Sequence, residues 1–123
     1  MRARNFLLAA VGVVCSTLVI AGAAWAAGAS TTITINGPDH VYGTIHSSSK
    51  TCLGGRTVVV YMQKGTSRNP AVDQKMDSTT STRQGNQGLW DMGNPGFPKH
   101  KNYYAKAKAK TGCKAGYSAT VRF

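Results

Sequence analysis

The chain has 123 residues, with fifteen Lys or Arg against four Asp, no Glu, and a formal net charge of +11. That length holds one domain of ordinary size. So few acids, with no activated nucleophile in view, leave no paired acid and base for hydrolysis, while the basic excess favours anionic surfaces.

Arg2 and Arg4 precede an apolar run from Phe6 to Ala24, broken by Ser16 and Thr17, and Ala24-Trp25-Ala26 supplies a small-x-small pattern. In that order these features predict a secretory signal peptide over residues 1–26, in helical form, with cleavage after Ala26. Cys15 follows Val13-Val14 rather than a small residue, so it is not read as a lipoprotein cysteine and leaves with the signal. The rival reading keeps residues 6–29 as an uncleaved membrane anchor, since about 20 apolar residues can span a bilayer. Residues 27–123 are expected to form a single β-sandwich domain with thirteen basic and four acidic residues.

No stretch of this domain repeats with helical period. Short β-rich runs alternate with Gly, Pro, Asn and Ser, and seven strands are expected. They run over Thr31–Ile35, His40–His46, Thr57–Gln63, within Ala71–Thr82, Gly88–Met92, Asn102–Ala109 and Tyr117–Arg122. Val58-Val59-Val60-Tyr61 is the clearest, being β-branched and aromatic. Two prolines in Asn94-Pro95-Gly96-Phe97-Pro98 stop the fifth strand. Alternation assigns the core to Ile33 and Ile35; Val41, Gly43 and Ile45; Val58, Val60 and Met62; Trp90 and Met92; Tyr103, Ala105, Ala107 and Ala109; and Ala119 and Val121. The fold class is all-β, a seven-stranded antiparallel sandwich of transthyretin-like or immunoglobulin-like type.

Two cysteines remain after the signal, Cys52 and Cys113, and an exported chain with an even count predicts a disulfide. If successive strands alternate direction, both fall in loops at one end of the sandwich. That placement meets the Cα separation of less than about 7 Å that a bridge needs.

The segments Val41-Tyr42-Gly43-Thr44-Ile45 and Gly55-Arg56-Thr57-Val58-Val59-Val60, with Gly88-Leu89-Trp90 and Tyr103-Tyr104-Ala105-Lys106-Ala107, resemble carboxypeptidase-regulatory-like domains. These are transthyretin-like sandwiches. The resemblance spans most of residues 40–122 and extends to small exported bacterial proteins with one disulfide. Asn102 stands where that pattern has Gly, and the fourth strand is unusually polar. The resemblance implies a non-catalytic module for packing, adhesion or display.

Candidate sites are few. Ser47-Ser48-Ser49-Lys50 and Lys110-Thr111-Gly112 match motifs of serine β-lactamases, but they fall in loops and lack the Ser-Asp-Asn element. His40, Tyr42, Thr44 and His46 share a strand face. The two histidines lie about 20 Å apart, too far to share a metal. Asp73 and Asp77 lack a calcium-loop pattern and are expected to be solvated. Lys106, Lys108 and Lys110 alternate on one strand face that begins at Tyr104 and continues toward Lys114. This row is the candidate anion-binding track, its ordinary alternative being a solvated face that discourages edge pairing. Phe97, between Pro95 and Pro98, is the candidate exposed contact.

No metal or cofactor is expected. The reading is an exported non-catalytic module with a structural or adhesive role at the cell envelope or in the medium. Expected partners are anionic envelope polymers or another surface protein, without specific nucleic-acid binding. Alternatives are a polyanion binder acting through the lysine-rich strand, and a small hydrolase or enzyme inhibitor.

Overall fold

Alternating apolar residues give each sheet one face to bury, and in the computed structural model, which describes residues 28–123, two antiparallel sheets pack those faces together. The expected signal segment and Cys15 lie outside the described residues. The strands are β1 (Thr31–Ile33), β2 (Tyr42–Ser47), β3 (Thr57–Met62), β4 (Gln74–Thr80), β5 (Thr82–Gln84), β6 (Gln87–Asp91), β7 (Asn102–Ala107), β8 (Gly116–Tyr117) and β9 (Val121–Arg122). One sheet has the order β1-β2-β6-β5. The other runs β4-β3-β7, with β8 and β9 both pairing the free edge of β7. Among the described residues no helix is long and apolar enough to cross a membrane.

Among the described residues the sandwich has nine strands rather than the seven expected, because two expected strands are each divided. The fourth breaks at Ser81. β4 pairs β3 in one sheet, and one residue later β5 pairs β6 in the other. Buried Ser81 makes the switch possible: its amide donates to Arg56 O at 2.9 Å, its hydroxyl donates to Leu53 O at 2.7 Å, and its Oγ accepts from Arg56 N at 3.1 Å. The polar groups freed by leaving one ladder are thereby paired again.

The last strand breaks at Ser118. Its Oγ accepts the Ala105 amide at 2.8 Å, and the pairing to β7 shifts by one residue between β8 and β9. That extra residue is a bulge repaired by a hydroxyl.

The main core holds Ile33, Ile35, Val41, Ile45, Leu53, Val58, Val60, Trp90, Phe97, Tyr103, Ala105 and Ala107, with Met62, Met92 and Val121 packed against it. Ala109 and Ala119 are exposed, contrary to expectation, since each lies beyond or between regular strands. A second cluster occupies the outer face of the β4-β3-β7 sheet, where Val59, Tyr61 and Tyr104 are buried with Tyr117 against them. Arg68 covers this cluster, its guanidinium carbon 4.2 Å from the Tyr117 ring centroid and 5.9 Å from that of Tyr104.

Close approaches of the backbone require glycine at Gly43 and Gly88, among other positions. A Cβ on Gly43 would lie 1.9 Å from Thr34 O, and one on Gly88 would lie 2.1 Å from Leu53 O.

The strand directions define two poles. β2, β4 and β7 run toward the disulfide pole, where Ser47–Thr57, Ser81–Gln87 and Ala107–Gly116 gather. Asn36–Tyr42, Met62–Gln74, Asp91–Asn102 and Val121–Phe123 occupy the opposite pole.

Candidate functional site

The disulfide pole gathers a bridged cysteine pair, a buried arginine and several exposed cations. Cys52 and Cys113 are bonded, with Cα atoms 5.6 Å apart, as the even cysteine count predicted and as their placement in two loops of the same end allows. Cys52 closes a one-turn 3-10 helix, Lys50–Cys52. Cys113 closes a two-residue turn in which Lys110 and Cys113 exchange backbone hydrogen bonds and Gly112 takes positive φ.

Beneath the disulfide lies Arg56, with 0 % of its surface exposed. All five of its side-chain N–H groups are used. Nε donates to Lys108 O at 3.2 Å. Nη1 donates to Cys52 O at 2.9 Å and Thr31 Oγ1 at 3.0 Å. Nη2 donates to Lys108 O and Lys114 O, both at 2.9 Å. No carboxylate is among these acceptors. Burial holds its pKa below the ordinary arginine value. A guanidinium is the side chain suited to this position, since its planar fork reaches several carbonyls at once.

Around Arg56 stand the exposed cations Lys50, Arg83, Lys108, Lys110 and Lys114. Lys110 Nζ donates to Gly54 O at 3.2 Å, and a Cβ on Gly54 would sit 3.0 Å from Arg83 N. Lys108 and Lys114 are brought together because their carbonyls share one nitrogen of Arg56.

The structure rearranges the expected lysine track. β7 ends at Ala107, so no regular strand carries Lys108 and Lys110 alongside Lys106. Lys106 Nζ lies 5.5 Å from the Tyr117 ring centroid, and Lys110 sits in the turn. Tyr104, placed at the head of the track, is fully buried, because the loop between β3 and β4 folds over it. Its hydroxyl donates to Asp73 Oδ2 at 2.6 Å. Burial, then the hydrogen bond and charge of Asp73, push its pKa well above the usual tyrosine value.

Asp73 is also buried, a correction to its expected solvation. Its carboxylate accepts from Lys64 N at 2.9 Å and Asn69 N at 2.7 Å, closing the loop. Burial opposes its ionisation, but the Tyr104 bond, the two backbone N–H groups and the Lys64 charge outweigh burial and hold its pKa below the usual range. Asp77 is exposed and accepts from Ser78 N.

Phe97 is not an exposed contact. It is 9 % exposed and stacks on Tyr103 at 5.5 Å between ring centroids, filling the core where the prolines turn the chain inward. The Tyr103 hydroxyl donates to Pro98 O, and burial raises its pKa.

At the opposite pole His40 Nε2 donates to Asp91 Oδ2 at 2.7 Å, with both side chains exposed. The Gly93 amide and then His40 hold the Asp91 pKa below its ordinary value. Among the described residues no three His, Cys, Asp or Glu side chains converge, and no cavity opens.

Sequence reasoning missed Arg56. Nothing in its residue type separates it from a solvated arginine ahead of a strand; the cue is its place four residues after a bridged cysteine.

No protein-family model matches the chain, and no curated protein does either.

Proposed function

We propose that residues 27–123 are an exported, non-catalytic β-sandwich module of transthyretin-like type, with a structural or adhesive role at the cell envelope or in the medium. One observation carries this reading. Four buried ionisable side chains, Arg56, Asp73, Tyr103 and Tyr104, hydrogen-bond to main-chain groups or to one another. Groups tied in this way hold loops in place and are not poised for proton transfer, which needs a group facing a substrate. A disulfide across two loops suits an oxidising compartment. The close-approach glycines Gly43 and Gly88 are among the residues that carry the family resemblance.

The test is to fractionate producing cells and measure intact mass. The expected species starts at Ala27, lacks free thiols and is retained saturably by isolated envelopes. Retention of residues 1–26 would promote the anchored alternative. Turnover of ester, peptide or glycoside substrates by the purified protein, with saturation and dependence on a named side chain, would replace the module with the hydrolase reading.

A further inference from the structure

We propose that the disulfide pole docks a linear polyanion across the cluster Lys50, Arg83, Lys108, Lys110 and Lys114. The proposal rests on the adhesive reading above and gives that module a partner class and a surface.

Charge segregation is the first support. Among the described residues, the disulfide pole carries these five exposed cations and buried Arg56, with no acid. Asp39, Asp73 and Asp91 lie at the opposite pole, and Asp77 lies within β4 opposite Val60. The opposite pole shows the ordinary mixed pattern, where Lys99 Nζ is 3.4 Å from Asp39 and His40 meets Asp91. A pole that only needed solvation would tolerate mixed signs as well.

Arg56 is the second support. Its hydrogen bonds end on neutral acceptors, which satisfy its N–H groups without cancelling its charge. A cation in a low-dielectric interior is weakly screened, so its field reaches the surface above it. Together with five exposed cations it makes this pole an electrostatic target for anions.

The third support is preorganisation. The bridge, the Lys110–Cys113 turn and the Lys110–Gly54 hydrogen bond fix the segments that carry the cations. Less conformational freedom is then lost on binding.

The cations sit on three separate segments with no cavity among the described residues. A repeating anion that meets several of them at once fits this layout better than a single small anion. Anionic membranes fit less well. Interfacial binding adds apolar insertion to charge, yet among the described residues the exposed large apolar side chains, Tyr42 and Val72, are at the other pole.

The test uses the intact oxidised protein, titrated with polyphosphate, with polygalacturonate and with vesicles containing anionic lipid. Binding to a polymer is expected, with Kd rising about a hundredfold between about 50 and about 200 mM salt for four or five ionic contacts. The polymer bound more tightly identifies phosphate or carboxylate as the recognised group. Lys108→Glu, Lys110→Glu and Lys114→Glu together should weaken binding about a hundredfold or more. Lys75→Glu, Lys101→Glu and Arg122→Glu make the same charge change at the opposite pole and should cost about threefold or less. Should the first triple variant unfold, Lys108→Gln, Lys110→Gln and Lys114→Gln replace it, with the same ranking expected. Equal losses in both sets, no binding to either polymer, or a preference for the vesicles would overturn the proposal. Envelope retention that neither polymer competes away would overturn it and leave the adhesive module standing; absence of envelope retention would remove that module itself.

Discussion

The guanidinium of Arg56 grips the main-chain carbonyl of Lys108 twice, through Nε at 3.2 Å and Nη2 at 2.9 Å. This pair ties the start of β3 to the end of β7, while the other bonds of Arg56 reach Thr31, Cys52 and Lys114. Arg56→Met would leave those acceptors buried without donors. A loss of about 3–5 kcal/mol is expected, the range for breaking a buried charged network. In a domain of this size that lowers the thermal midpoint by well over about 10 °C. Arg56→Lys should recover only part of it, since an ammonium has three donors and no fork. A denaturation midpoint within about 1 kcal/mol of the parent for Arg56→Met would contradict this role.

Tyr104 and Asp73 predict an acid limb. The folded pKa of Asp73 is depressed, so near that range the unfolded chain binds more protons and stability rises with pH. The contribution is present above the unfolded carboxylate value of about 3.9 and disappears as pH falls through the lower folded value. Asp73→Ala should be less stable at neutral pH and show a flatter dependence below about pH 4. Tyr104→Phe should cost about 1–3 kcal/mol, the worth of a hydrogen bond to a buried charge. Urea denaturation from acid to neutral pH reads both effects.

Reducing the Cys52–Cys113 bridge frees a loop of 61 residues. The expected loss is about 4 kcal/mol in the loop-entropy account. Cys52→Ala with Cys113→Ala measures it without reductant. A double variant as stable as the oxidised parent would show that Arg56 alone holds the pole.

Gly43→Ala places a methyl group against Thr34 O and the Trp90 ring, 1.9 and 2.7 Å away. The backbone must shift, at a cost of about 2–3 kcal/mol. Gly65→Ala meets nothing within 4 Å and should be neutral or slightly stabilising. Similar midpoints for the two variants would refute the close approach.

Phe97→Ala tests the revised placement of that ring. A core cavity costs about 3 kcal/mol or more, whereas removal of an exposed contact would leave stability nearly unchanged. Calorimetry of the purified variant distinguishes them.

The parts of the fold legible in the sequence were those with a local signature. Ile33 and Ile35 alternate with Thr32 and Thr34, Val58, Val60 and Trp90 share the inward parity of their strands, and all five are buried. The disulfide followed from the even cysteine count of an exported chain and agrees with loops placed at one end. Long-range pairings carried no such signature. Ser81 looks like any serine in a polar strand, yet its bonds to Arg56 and Leu53 let the chain change sheets. Tyr104 has the parity of an outward residue and is buried because the loop between β3 and β4, closed by the bond from Lys64 N to Asp73, folds across it. The lysine row is positive by residue type, but the strand that would align it ends at Ala107, before Lys108 and Lys110.

The positions of Gly28 and Phe123 set an orientation. Ala29 bridges to Cys113 at one pole, while Phe123 stacks on Tyr103 at the other, 4.9 Å between centroids. A chain threading the domain is therefore carried from pole to pole, about 20 Å along strands of six residues. Tension between these two points would pull β1 and β9 in opposite directions, in shear across two different sheets, instead of peeling one hairpin. A label or surface linkage attached after Phe123 leaves the cationic pole facing outward, whereas one placed before Gly28 crowds it.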